Sequence, residues 1–244
     1  MTLINVVDRS TLLDDVDFLV AFEACKKQLL EHVTCVWKRG DVEIVANGPD
    51  DVGYQVVVLD DPDQAGFLGY HTKTPTGLVW ARVFVRPIVA KNSDMLKGSL
   101  SVSAIMSHEI IEAYCDPDVN LWARRPDGKL VAYEAVDPVE ADFYDVQVGD
   151  RSVSVSNFVT PAWFDVNAPR GSKFDKMETI QKPFGVSKGG YVVVLDPRTG
   201  GTKNVFGSRD AVSVHAARQS PSSAARSRRK IFEDQEVVDE VFDE

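Results

Sequence analysis

A histidine and two glutamates in the middle of the chain have the types and spacing of metal ligands. His108 and Glu112 are four residues apart, and Glu109 lies beside the histidine. Residues four apart in a helix share one face, so both outer side chains can reach the same ion. Buried carboxylates are costly unless they are paired, hydrogen-bonded or bound to a metal. The spacing therefore indicates a divalent cation at His108 and Glu112, with an arginine partner as the alternative.

The helix that carries these residues is predicted to be buried. Between 101 and 117, apolar residues occur on nearly every side of a helix: Val102, Ile105, Met106, Ile110, Ile111, Ala113 and Tyr114. A helix that is apolar all round is a buried helix, and Pro117 should end it. Asp116 continues the face of Glu112 at the C-terminal end, where the helix dipole disfavours an anion. We therefore expect a positive partner near Asp116.

The spacing His-Glu-x-x-Glu resembles the zincin helix His-Glu-x-x-His, with glutamate as the second outer residue. In that pattern the outer residues bind zinc and the inner glutamate activates water. The resemblance implies that His108 and Glu112 are ligands and that Glu109 is the catalytic base. It also implies a third ligand from downstream, either Glu134 or Asp137. In glutamate zincins a downstream glutamate completes the site and a following acidic residue orients the histidine.

Four runs of sequence carry a wider resemblance. Residues 107–117 read Ser-His-Glu-x-x-Glu-x-x-x-Asp-Pro, and 133–140 read Tyr-Glu-x-x-Asp-Pro-Val-Glu. Residues 156–164 read Ser-Asn-Phe-Val-x-Pro-Ala-Trp-Phe, and 189–191 read Gly-Gly-Tyr. Together they resemble a family of zincin-like metalloproteins encoded by phages and prophages. The first run is also similar to a broader set of bacterial metallohydrolases.

The resemblance implies a metal-dependent peptidase with an acidic site. One imidazole and two carboxylates form a harder site than two imidazoles and one carboxylate, so calcium or manganese fits besides zinc. Asp116 and Glu140 are candidates to support the ligands. A peptide or protein would be the substrate, with Glu109 moving the proton. The oxyanion partner is left open among three residues: Tyr133, Tyr144 and His71, the last expected in a loop.

Two other functions compete with the peptidase. The first is a structural component of a phage virion that keeps a zincin-like scaffold, with or without a structural metal. It would contact other virion proteins through a charged C-terminal segment. The second is a metal-free domain in which three carboxylates pair with two arginines. The residues of that reading are Glu112, Asp116, Glu134, Arg124 and Arg125.

The elements before the helix should form the frame that positions it. Helical spacing of apolar residues predicts an amphipathic helix over 11–33, with Ser10 or Asp14 as its cap. Short strands are predicted at 34–37, 42–46 and 54–59, and an alternating strand at 78–86. The zincin resemblance implies an exposed edge strand beside the metal, where an extended peptide could pair, and 78–86 is our candidate for it.

The fold class predicted is α+β: a zincin-like mixed sheet backed by helices, then a β-rich part and a disordered charged tail. A single domain over 1–206 would consist of residues 1–117 and a loop-rich part over 118–206. Within the latter, 143–148 and 152–156 flank Gly-Asp and predict a hairpin. Residues 189–195 should form the final strand, and the aromatic residues Trp163 and Phe164 should pack in the core. Few apolar residues remain over 207–244.

Composition limits the classes of partner. The 244 residues are 44% hydrophobic and carry a formal net charge of −10, which argues against general nucleic-acid binding. No apolar run reaches the length of a membrane span, and the N-terminus does not resemble a signal peptide. Three cysteines in no Cys-x-x-Cys pair do not indicate a disulfide framework. We expect the protein in the cytoplasm or in a phage particle.

Overall fold

The structure is a computed structural model. It describes residues 1–50, 53–63, 67–73 and 78–212, together with the backbone of 236–237.

A mixed five-stranded sheet occupies the N-terminal part of the chain. Its strands are β1 (Thr2–Asp8), β2 (Val42–Ala46), β3 (Tyr54–Leu59), β4 (Gly69–Lys73) and β5 (Val79–Phe84). The order is β2-β1-β3-β5-β4, and β4 alone among them runs antiparallel to its neighbour. The predicted strands at 42–46 and 54–59 are confirmed. The strand predicted at 78–86 is present as β5. The prediction that it is an edge strand is wrong, because β3 and β4 pair with it on its two sides. The alternation of apolar and polar residues along a strand indicates which of its faces is solvated. It does not indicate whether the strand pairs with a neighbour on both sides.

Helices pack against this sheet and against the C-terminal part of the chain. They are α1 (Asp15–Lys27), a π-helical segment (Gln28–Val33), α2 (Thr34–Trp37), α3 (Val85–Ala90) and α4 (Val102–Cys115). Of the two predicted caps, Asp14 is the one that begins α1, since its side chain accepts from the N–H groups of Val16 and Asp17. Such a cap satisfies backbone donors that have no partner within the helix.

The strand predicted at 34–37 is wrong, because these residues continue the helical chain that begins with α1. The hydroxyl of Thr34 donates to the carbonyl of Leu30 at 2.8 Å, one turn back. Trp37 is buried, and its Nε1 donates to the carbonyl of Val159 at 3.0 Å. Tertiary burial of this tryptophan therefore outweighs the β-propensity of the β-branched residues beside it.

The C-terminal part contains a second sheet and a hairpin. The second sheet has the order β12-β11-β10-β7-β6. Its strands are β6 (Trp122–Arg124), β7 (Leu130–Ala132), β10 (Tyr191–Leu195), β11 (Thr202–Phe206) and β12 (Glu236–Val237). The predicted hairpin is confirmed as β8 (Phe143–Val148) and β9 (Arg151–Ser156). The strand expected to be the last is β10, and β11 and β12 follow it.

One cluster of buried apolar side chains joins the first sheet, α1, α4 and the hairpin. It includes Ile4, Phe22, Val83, Ile110 and Val155. A second cluster lies in the C-terminal part around Trp163, which is fully buried as predicted. Phe164 is partly buried and packs against both clusters.

The segment predicted as a charged tail begins against the body of the protein. Ala211 is buried with Tyr191 and Phe206. The rest of that segment, 213–235 and 238–244, lies outside the described residues, apart from the backbone of β12. Among the described residues, the helices are all too short or too polar to cross a membrane.

Candidate metal centre

Helix α4 holds three of the predicted site residues at the centre of the molecule. Ser101 caps the helix by accepting from the N–H of Ala104 at 3.1 Å, and the helix ends before Pro117. Every residue of α4 is buried, so the prediction of a buried helix is confirmed. His108, Glu109 and Glu112 are 4%, 3% and 1% exposed. Polar groups at this depth need partners.

A buried serine fixes the helix to the hairpin immediately before His108. The Oγ of Ser107 accepts from the N–H of Ser156 at 2.8 Å and donates to the carbonyl of Ala104 at 2.9 Å. Ser156 belongs to β9, so the first of these bonds joins α4 to the hairpin. His108, the next residue, is thereby held in position relative to the hairpin.

The first group of candidate ligands consists of His108, Glu112 and Asp137. The Nε2 of His108 lies 3.1 Å from Oε2 of Glu112 and 3.5 Å from Oδ1 of Asp137. Asp137 is buried and begins a short 3₁₀ turn, Asp137–Val139, after β7. One ligand atom from each of the three residues lies within 4.8 Å of the others. The structure thus brings His108, Glu112 and Asp137 to one place.

The second group contains a histidine that the sequence did not place. His71 lies in β4, so its expected position in a loop is wrong. Its Nδ1 is 3.3 Å from Oε2 of Glu109 and 3.2 Å from Oε2 of Glu112. The apolar residues 67–70 that lead into β4 were the sequence signal for this strand. The strand itself is short and polar, which concealed its buried face.

Glu134, Asp116 and Glu140 lie around these two groups. Oε2 of Glu134 is 3.5 Å from Nε2 of His71, on the side of the ring away from Glu109. The Oδ2 of Asp116 accepts from the backbone N–H of Leu121 at 2.9 Å. Burial raises the pKa of Asp116, whereas its backbone donors and the positive charges of His71 and Arg39 lower it. Positive charge is thus present near Asp116 as expected, although a backbone N–H makes the hydrogen bond. Glu140 is buried at the end of the 3₁₀ turn.

The charges of the cluster are strongly coupled. Burial alone lowers the pKa of His108, but Glu112, Asp137 and Glu109 raise it well above 6.5. Burial likewise lowers the pKa of His71, and carboxylates led by Glu134 raise it well above 6.5. Burial raises the pKa of Glu112, but the two histidines hold it well below 4.5. Two positive imidazoliums therefore accompany an ionised Glu112 when no ion is bound.

The oxygen atoms of Glu112 have separate roles. Oε1 accepts from the backbone N–H of Val136 at 3.3 Å, which turns Oε2 toward the two histidines. The pairing with arginines expected in a metal-free domain is not seen at Glu112, where both neighbours are histidines. Arg125 contacts Asp127 at 3.5 Å instead.

The donor set fits a divalent cation. Two ligands bound to one ion at about 2.0–2.2 Å lie roughly 3 to 3.6 Å apart, as the contacts of His108 do. Within the described residues, several buried atoms that face one another have no hydrogen-bond partner: Nδ1 and Nε2 of His71, Nε2 of His108, Oε2 of Glu109 and Oε2 of Glu112. These buried His, Glu and Asp groups could bind a metal ion.

The three candidates for an oxyanion partner are separated by the fold. The hydroxyl of Tyr144 lies 2.8 Å from Nδ1 of His32 and 3.1 Å from Nε2 of Gln28. Tyr133 stacks on Phe164, with ring centroids 4.0 Å apart. Of the three candidates, His71 is the one that contacts Glu109 and Glu112.

Comparison with protein-family models, with curated proteins and with solved structures finds no match to this chain. The phage and zincin-like resemblance of the sequence therefore stays a prediction.

Proposed function

We propose that the protein is a zincin-like, metal-dependent hydrolase that cleaves peptide bonds. The observation that carries the proposal is the buried contact of His108 with Glu112 and Asp137, with Glu109 one residue along the same helix. A bound divalent ion would lower the pKa of a water molecule and polarise the scissile carbonyl. His108, Glu112 and Asp137 would hold this ion.

Glu109 is the residue proposed to move the proton. Its carboxylate is buried beside the ligands, and it would accept a proton from the attacking water and return it to the leaving amine. His71 lies 3.3 Å from this carboxylate. A positive charge at this position would stabilise the negative charge that develops on the carbonyl oxygen.

The position of β4 supports a peptide substrate. This strand is one of the two edges of the first sheet among the described strands, and it carries His71 into the cluster. An extended peptide can add to such an edge by main-chain hydrogen bonds. The prediction that 78–86 forms this edge is wrong, and we assign the role of docking edge to 69–73 instead.

A structural metal site in a virion protein is the second candidate. It is favoured by the depth of the cluster, since Glu112 and Asp137 are each 1% exposed. Structural metal sites are closed, whereas catalytic sites keep a position open. The same ligands would then stabilise a scaffold, and Glu109 would have no proton to move.

The Glu109→Gln variant distinguishes these functions. A hydrolase should lose activity on internally quenched peptide libraries by roughly a hundredfold or more, with the ion at His108 retained. Glu23→Gln, on the exposed side of α1, is the matched control and should change nothing. His108→Ala should lose the ion and stability together. A protein that binds metal through His108 but cleaves no peptide would be the scaffold, and one without metal would refute both functions.

A further inference from the structure

Helix α4 presents two sets of ligands that meet at one carboxylate. Glu112 is four residues after His108 and three after Glu109, so each pair can lie on a common face. Each pair is completed by a residue from another element: Asp137 from the 3₁₀ turn and His71 from β4. The two resulting groups of three share Glu112 and no other residue.

We propose that His71, Glu109 and Glu112 bind a second divalent cation, and that Glu112 bridges it to the ion at His108. This second site rests on the proposed function for the first ion. Glu109 binds the second ion through Oε2, the oxygen that faces His71. A carboxylate that binds through one oxygen keeps the other for a proton, so the proposed role of Glu109 is retained.

The geometry around His71 is that of a metal ligand. Its Nδ1 lies 3.3 Å from one glutamate oxygen and 3.2 Å from the other, close to the separation of ligands on a single ion. The residue is 5% exposed, and both ring nitrogens lack hydrogen-bond partners among the described residues. An ion at Nδ1 would give this buried nitrogen the partner that hydrogen bonding does not supply.

Glu134 supplies the support that a histidine ligand usually has. Its Oε2 faces Nε2 of His71 at 3.5 Å, opposite the proposed ion. A carboxylate on this side of the ring would accept from the Nε2–H of the ligating imidazole and so fix its tautomer and orientation. The same contact explains why Glu134 lies apart from His108, although its sequence position made it a candidate for the third ligand there.

The balance of charge also favours two ions. Four carboxylates surround the two histidines: Glu109, Glu112, Glu134 and Asp137. When ionised they carry four negative charges, which two divalent cations neutralise. A single divalent ion neutralises only half of that charge, and three of the four carboxylates are buried, where charge without a partner is strongly unfavourable. Such a carboxylate-rich pair of sites suits Mn²⁺ as well as Zn²⁺.

The proposal is tested by the number of metal ions bound per chain and by the magnetic coupling between bound Mn²⁺ ions. The protein is dialysed against Mn²⁺ or Zn²⁺, and the metal content per chain is measured by elemental analysis. We expect two ions per chain. Ions that share a carboxylate lie about 3.5–4 Å apart in two-metal sites, so two bound Mn²⁺ ions should give an exchange-coupled electron paramagnetic resonance spectrum. His71→Asn should halve the metal content and restore the resolved hyperfine spectrum of an isolated ion.

Two further variants make the test independent of any one substitution. Glu109→Gln should also reduce the content from two ions to one, whether or not His71→Asn folds. His32→Asn, at a histidine that contacts Tyr144 outside the cluster, should keep both ions. One uncoupled Mn²⁺ in the wild type, unchanged in His71→Asn and Glu109→Gln but lost in His108→Ala, would overturn the second site and leave the proposed function standing. No bound metal in the wild type would overturn both.

Discussion

The Nδ1 atom of His71 lies 3.2 Å from Oε2 of Glu112, so the edge strand of the first sheet and the central helix meet at one carboxylate. The same oxygen is 3.1 Å from Nε2 of His108. Glu112 therefore connects two histidines that come from different elements.

Gly69→Ala should destabilise the protein, because β4 approaches α4 too closely for a side chain at this position. A Cβ atom there would lie 2.7 Å from Cγ2 of Ile105 and 2.8 Å from Oε1 of Glu109. We expect a loss of about 1–3 kcal/mol, as for other overpacked sites, in urea unfolding. Gly201→Ala is the control, since its Cβ would meet only the hydroxyl of Thr199, at 3.3 Å. Equal stability of the two variants would contradict the close approach of β4.

Ser107→Ala should remove one of the hydrogen bonds that fix α4 to the hairpin. The variant leaves the buried N–H of Ser156 without its acceptor, which costs about 1–3 kcal/mol. Chemical unfolding measures the loss, and the partly exposed Ser172→Ala serves as control. Faster amide exchange at Ser156 in the variant would show that the loss arises at this contact. Unchanged exchange there would count against it.

Helix α4 is predicted well from the sequence, because the residues that indicate it lie within the helix or next to it. Apolar residues on every side of 102–115 require burial, and Pro117 sets the end. His71 could not be placed in the same way. Its partners Glu109 and Glu112 lie far along the chain, and no spacing pattern relates a residue of an edge strand to a particular turn of a helix. Long-range contacts of this kind depend on the order of strands in the sheet, which neither periodicity nor propensity determines.

Two wrong predictions about the fold, for 34–37 and for 78–86, have a related physical origin. The segment 34–37 contains Thr34 and Val36, which favour strands locally, but burial of Trp37 keeps it helical. The strand 78–86 alternates in polarity, which predicts one more polar face, and the zincin resemblance makes it the candidate edge. In the structure β5 is an inner strand with one less buried face, on which Trp80 and Arg82 lie. Alternation and propensity both describe single residues, whereas pairing depends on the whole sheet.

The stability of the metal-free protein should depend on pH through the two histidines and Glu112. The raised pKa values of His71 and His108 give stability that is present below about 6.5 and is lost as the pH rises through the folded values. The lowered pKa of Glu112 gives stability that is present above about 4.5 and is lost as the pH falls. Stability in a chelator should therefore be greatest between these two values.

Urea unfolding from pH 4 to pH 9 measures this dependence. His71→Asn and His108→Asn should each flatten the decline on the alkaline side, because each removes one of the raised groups. Saturating Zn²⁺ should reverse that decline, since metal binding requires neutral imidazoles and releases their protons. A chelated wild type that gains stability steadily from pH 6 to pH 8 would contradict the charged histidines.

Asp137→Asn and Glu134→Gln should separate the two acidic residues that the sequence left as alternatives for the third ligand. Asp137 lies 3.5 Å from Nε2 of His108, whereas Glu134 lies 3.5 Å from Nε2 of His71. Asp137→Asn removes a charged ligand, so the ion at His108 should be lost at metal concentrations that saturate the wild type. Glu134→Gln should keep that ion and weaken binding at His71 by about 10–100-fold, the usual effect of losing a carboxylate that orients a ligand. Competition with a fluorescent zinc chelator measures both affinities, and Asp127→Asn, at the pair with Arg125, should match the wild type. If Glu134→Gln instead loses the ion at His108 and Asp137→Asn only weakens it, then Glu134 is the third ligand and Asp137 orients the histidine.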